Sequence, residues 1–191
     1  MTRILIAGVL GGLAMFVWTS FAHIATPLGW AGFQTVKDEA ALNTMLKTLG
    51  DRPGLYIFPG MDVHAKDQNA EMKRVEMATK VNPSGLLLYR PVGQGVEMQP
   101  STMLSELVKE IVVCLIAAFL LTTTSLPKLW ERAGFVAAIG AVASLETNAS
   151  YRIWYGFPSD FTAAAILMSF VGYIIAGFVI GFIVKPRNLG A

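Results

Sequence analysis

Seven polar residues stand beside long apolar runs in a chain that is otherwise poor in charge, and their types could hold or move a proton or a cation. They are His23, Glu106, Glu110, Glu146, Asn148, Arg152 and Asp160. Ionisable groups at membrane depth are costly unless paired or hydrated, so each of them needs a partner or a water-filled cavity. Glu110, Glu146 and His23 are the acid and base candidates. Glu146 is the carboxylate that a transport reading would test first. The plainer account is a polar interface at helix ends, neutralised by pairs such as Arg152 with Glu146, with Tyr155 and the string IWYGFP as an interfacial aromatic belt.

No sequence motif assigns a reaction. GxSxG, HExxH, P-loop and GxGxxG signatures are missing, and Gly93-Gln94-Gly95 lacks the third glycine and reads as a turn. Asp62, His64 and Asp67 in GMDVHAKDQ could hold a metal, but that spacing matches no established site. Haem would need His23 and His64 to meet, and no CxxCH attachment motif is present. The single cysteine, Cys114, excludes an internal disulfide and a cysteine-based metal cluster held by this chain alone. It lies in an apolar run and reads as a small buried side chain. No catalytic residue, metal or cofactor is therefore assigned.

The elements that must position these residues belong to a membrane protein. Of 191 residues, 54% are hydrophobic and 15% charged, against roughly a quarter charged in an ordinary soluble domain. The formal net charge of +2, with basic residues scattered, leaves nucleic acid out as a partner. Residues 4–25 form the first apolar segment, longer than the core of a signal peptide and without a clean cleavage site, so an uncleaved helix is expected within a segment of residues 1–29. Residues 101–124 begin with Glu106, Lys109 and Glu110 at helical spacing and turn wholly apolar from Ile111, which reads as one helix running from water into lipid. Two more helices are expected at about 127–148 and 161–184, so that 106–191 holds helices two to four, the second of them starting near 106. Residues 149–160 read as a loop. Gly8 with Gly12, and Gly177 with Gly181, have the GxxxG spacing that lets helices approach closely.

Residues 30–105 hold most of the charge, with apolar runs of strand length. A helix over 37–49, a strand over 55–58, a helix over 69–80 and a strand over 86–89 are expected. Two strands separated by a helix could form a parallel unit. The expected fold is thus membrane α-helical, with four transmembrane helices and a small exported α/β domain inserted between the first two. The short basic clusters at Arg3, at Lys128 with Arg132, and at Lys185 with Arg187 all fall on one side of such a protein. The positive-inside rule then makes both termini cytoplasmic and exports residues 30–105, in a bacterial inner membrane. The expected partners are the lipid bilayer and either a second copy of the chain or a membrane protein complex. The first functional expectation is a non-enzymatic envelope or accessory subunit acting through its exported domain and Gly-rich helices. A small transporter or channel component using Glu146 is the alternative, followed by a membrane enzyme at the outer boundary.

Overall fold

The computed structural model describes residues 1–93 and 99–185. Contacts divide the chain into two compact units, Met1–Phe33 with Met98–Ala191, and Gln34–Glu97. The protein is mostly helical, with one small two-stranded sheet.

The first unit holds four long helices, α1 (Thr2–Ala25), α4 (Pro100–Leu121), α5 (Leu129–Tyr155) and α6 (Ser159–Ile183). Helix α6 packs against both α1 and α5, and α1 packs against α4. The α1–α4 contact depends on glycine. A Cβ on Gly12 would lie 2.6 Å from the Cα of Ile111, and one on Gly8 would strike Leu115. On α6, a Cβ on Gly177 would lie 2.8 Å from the carbonyl of Ala133, and one on Gly181 would lie 3.1 Å from Arg132. All four GxxxG glycines are thus occupied by helices of the same chain. At the end where α1 starts and α6 finishes, Leu121, Val136 and Ile180 are fully buried together. There Arg132 Nε donates to the Gly181 carbonyl at 2.8 Å, satisfying one of the acceptors that a helix end leaves open.

By length and composition, two helices, α1 and α6, could cross a membrane. The other two fall short among the described residues. Helix α4 carries Glu106, Lys109 and Glu110 and is continuously apolar only over 111–121, while the interior of α5 is built largely of Ala, Gly, Ser, Thr and Asn. Their bounds also differ from expectation. Helix α4 starts at Pro100, whose missing N–H suits a first helical turn. Helix α5 continues through the segment expected to be a loop, because none of the residues 149–155 breaks a helix. It stops where Gly156 adopts φ 71° and its N–H bonds the Arg152 carbonyl. The two-residue turn Phe157–Pro158 then leads into α6.

In the second unit, Asp38 caps α2 (Glu39–Leu46) at 2.9 Å and Asp67 caps α3 (Gln68–Val81) at 3.0 Å. Strands β1 (Gly54–Phe58) and β2 (Gly85–Tyr89) pair antiparallel, with Gly54 opposite Tyr89 and Phe58 opposite Gly85. The parallel arrangement fails because the connection makes two traverses. Residues 60–67 run back along the start of α3, held by Arg74 to the Gly60 carbonyl, Glu71 Oε1 to the Asp62 N–H at 2.8 Å, and Gln68 to the Val63 and Ala65 carbonyls. The chain therefore returns to the end of the sheet that it left. Hydrogen bonds from Arg74 and from the Asp62 N–H push the Glu71 carboxyl down to about 2. Tyr89 is buried, its hydroxyl donates to the Gly50 carbonyl at 2.8 Å, and its ring meets Tyr56 edge-on.

Because overpacking a tight contact costs about 1–3 kcal/mol, Gly12→Leu is expected to lower the unfolding midpoint of the detergent-solubilised protein, followed by circular dichroism. Gly134→Ala, where a Cβ meets nothing within 4 Å, should instead gain up to about 1 kcal/mol of helix propensity. Equal midpoints for the two variants would contradict the close α1–α4 approach.

Candidate functional site

Three of the seven sequence candidates meet at one cavity. It has a volume of about 370 Å³ and opens among α1, α4, α6 and the turn that follows α1. Each helix contributes a stripe at helical spacing. Met15, Thr19 and His23 come from α1, Glu106, Lys109, Glu110 and Val113 from α4, and Phe161, Ala165, Ser169 and Tyr173 from α6. Residues three and four apart share a helix face, so one rotation of each helix brings its whole stripe to the cavity.

Local structure ends α1 at the right place. Thr26 Oγ1 donates to the Ala22 carbonyl and accepts the Leu28 N–H, and Pro27 cannot continue the ladder. The chain then makes one 3₁₀ turn and bends at Gly32, which has φ 78° and whose absent Cβ would lie 2.6 Å from that of Phe161. That bend sets Phe33 against Phe161, ring centroids 5.7 Å apart. Phe161 in turn meets Phe157 at 5.3 Å, and Phe157 stacks on Tyr151 at 5.4 Å. A row of rings from the α5–α6 turn thus reaches the cavity wall.

Glu110 is the feature that distinguishes this cavity. Its side chain is 1% exposed, and Oε1 lies 3.1 Å from Lys109 Nζ. Among the described residues, no donor reaches Oε2. Lys109 is shared, because its Nζ also donates to Glu106 Oε1 at 2.8 Å. Two carboxylates therefore compete for one ammonium. A buried acceptor left without a partner costs about 1–3 kcal/mol. Ile111, next to Glu110, lies against Gly12, so this carboxyl is level with the middle of α1. That is roughly 15 Å of helical rise from the start of α1 at about 1.5 Å per residue.

His23 adds a second acceptor. Its Nδ1 lies 3.0 Å from the Thr19 carbonyl, and a carbonyl oxygen only accepts, so Nδ1 carries the hydrogen. In the tautomer that this bond selects, Nε2 is the acceptor. Beside the cavity, a cleft of about 290 Å³ runs between α1 and α4, walled by Phe16, Ser20, Ile24, Thr102 and Met103 and sharing Thr19, His23 and Glu106 with the cavity. Compared with known protein families, characterised proteins and solved structures, the chain matches none.

The other four candidates lie elsewhere. Glu146 is exposed on α5 and does not line the cavity. Asn148 Nδ2 donates to the Ser144 carbonyl at 2.9 Å, Arg152 Nη1 approaches the Phe157 carbonyl at 3.5 Å, and Asp160 Oδ1 accepts the Phe161 N–H at 3.0 Å. Among the described residues, the expected Arg152–Glu146 pair is missing from the ion pairs. Since α5 is helical through both, residues six apart point roughly 120° away from each other. In the Asp62–Asp67 loop, Asp62 Oδ1 accepts the His64 N–H and Asp67 caps α3, so both carboxylates serve the local backbone. Cys114 is buried in the helical core.

The α6 stripe is not among the sequence candidates, and Lys109 enters there only as part of the charged start of its helix. A polar Ser169 and a Tyr173 four residues apart in an otherwise apolar helix were the available signal. Replacing a buried carboxyl that has a partner on only one oxygen by an apolar side chain of similar length removes its desolvation cost. Glu110→Met is expected to stabilise the folded protein by about 1–3 kcal/mol, read as a raised unfolding midpoint in detergent. A lowered midpoint would mean that the carboxyl is a net structural anchor.

Proposed function

We propose that this is a four-helix protein of a bacterial inner membrane that binds a small solute, without catalysis, in the cavity among α1, α4 and α6. Both termini are cytoplasmic and residues 34–97 lie outside. Two helices long and apolar enough to span are compatible with membrane association. Helices α4 and α5 complete the bundle, α4 packed along α1 and α5 along α6. The clusters at Arg3, at Lys128 with Arg132, and at Lys185 all come at the same end of the bundle, where cytoplasmic loops carry such residues.

The observation that carries the binding reading is the unpartnered Oε2 of Glu110 beside a cavity of ligand size. In a membrane, a carboxyl held at mid-helix without a full set of partners marks a functional site by default. It takes the place that Glu146 would have had. The glycine faces that would have served an accessory subunit are spent on contacts within the chain. Docking through the outer unit keeps one supporting feature, the exposed Leu55, Ile57 and Leu88 on a single face of the sheet.

Orientation is tested with single cysteines in a Cys114→Ala background. Lys66→Cys should react with an impermeant maleimide on intact spheroplasts and Ser125→Cys only after lysis; the opposite pattern would invert the protein. Binding is tested by thermal shift in lipid nanodiscs with a panel of small organic cations, anions and neutral compounds. At least one should raise the midpoint of the native protein but not of Ala165→Phe, which fills the cavity from α6. A panel without effect on the native protein would remove the binding reading.

A further inference from the structure

We infer that the cavity takes a small amphipathic organic cation, a primary ammonium or guanidinium on an apolar body, with Glu110 as its counter-ion. The inference rests on the binding reading above and specifies its ligand. Beside the hydroxyls of Thr19, Ser169 and Tyr173, which can donate or accept, the charged groups on the wall are two carboxylates and one ammonium. Glu106 and Glu110 bring two carboxylates against the single ammonium of Lys109. With both carboxylates ionised, one negative charge is left over, on a side chain that is 1% exposed and has an oxygen without a partner. A cation with several N–H donors supplies what is missing, whereas an anion would add a third negative charge beside the two carboxylates.

The rest of the wall suits an apolar body. Met15, Leu28, Phe33, Val113, Phe161 and Met168 surround the polar group, and at about 370 Å³ the cavity has room for a ligand the size of roughly a dozen water molecules. Lys109 does not block the site, because its side chain is 54% exposed and keeps Glu106 as a partner if the ligand displaces it from Glu110. Bringing Oε2 to the ligand needs only rotation of the terminal carboxyl torsion, which is soft. The ligand has two possible sources with the same chemistry. A free amine could come from the outer solution, and a lipid amine headgroup could enter through the α1–α4 cleft.

The test is calorimetric titration of the intact protein in nanodiscs of phosphatidylcholine and phosphatidylglycerol, which contain no primary amine, with protein-free discs as the blank. The probes are hexylammonium, 1-hexanol and hexanoate. Hexylammonium should bind at least about tenfold tighter than hexanol, as one charge-assisted hydrogen bond implies, and Glu110→Gln should reduce it to the level of the alcohol. The comparison on the native protein decides even if that variant fails to fold. Equal binding of the ammonium and the alcohol, or an ammonium preference that survives in folded Glu110→Gln, would overturn the ligand class while leaving a binding site. Absence of binding by all three probes would overturn the ligand class, and the wider panel separately decides whether the cavity binds anything. In discs containing phosphatidylethanolamine, weakened hexylammonium binding identifies the headgroup as occupant, and unchanged binding identifies a free amine.

Discussion

Gly12 has no side chain, and the backbone of Ile111 occupies the space where one would be. That contact sets how closely α4 approaches α1, and much else in the helical unit follows from it. Glu110 precedes Ile111 and is carried into the bundle at the level of the middle of α1. The next turns of α4 put Cys114, Ala117, Ala118 and Leu121 into the common core with Val136 and Ile180. Small residues at such crossings let the helix backbones meet in close van der Waals contact. The consequence is asymmetric, with one half of the bundle filled and the other half open around polar groups.

The open half is a balance between two demands on the same side chains. Apolar packing draws α4 inward, and the charge of Glu106, Lys109 and Glu110 resists complete burial. Lys109 resolves part of the conflict by reaching both carboxylates from a half-exposed position. It cannot satisfy every oxygen, and Glu110 Oε2 is left over. In a filled core such an oxygen would be a defect. Beside a cavity walled largely by aromatic and aliphatic groups it is instead a strong acceptor held ready for a ligand. The rings from Tyr151 through Phe157 and Phe161 to Phe33 tie the α5–α6 turn to the chain leaving α1, and so hold the mouth of that space in shape.

Single residues set where several elements begin and end. Asp38 and Asp67 cap α2 and α3, Pro27 stops α1 and Gly156 stops α5, each through a property visible in one residue. The reading of residues 149–155 as a loop erred because polar and aromatic residues suggested a surface connection, although none of them disfavours a helix. The parallel strand pair erred for a different reason. The length of a connection does not say how many times it crosses the sheet, and here hydrogen bonds from Gln68, Glu71 and Arg74 fold residues 60–67 back along α3.

For the site, the sequence by itself determined the stripes. The spacing of 106, 109, 110 and 113 on α4, of 15, 19 and 23 on α1, and of 161, 165, 169 and 173 on α6 is a local periodicity, set by 3.6 residues per turn. It also determined that charge would be scarce and that each ionisable group among apolar residues would need an explanation. Only the tertiary structure decided which stripes face one another. It joined His23, Glu106 and Glu110 with Tyr173 and left Glu146, Asn148, Arg152 and Asp160 outside. The reason is physical, since the rotation of a helix about its axis is set by what it packs against. Here the glycines at 8, 12, 177 and 181 admit the neighbouring helices, and every other side chain turns with them.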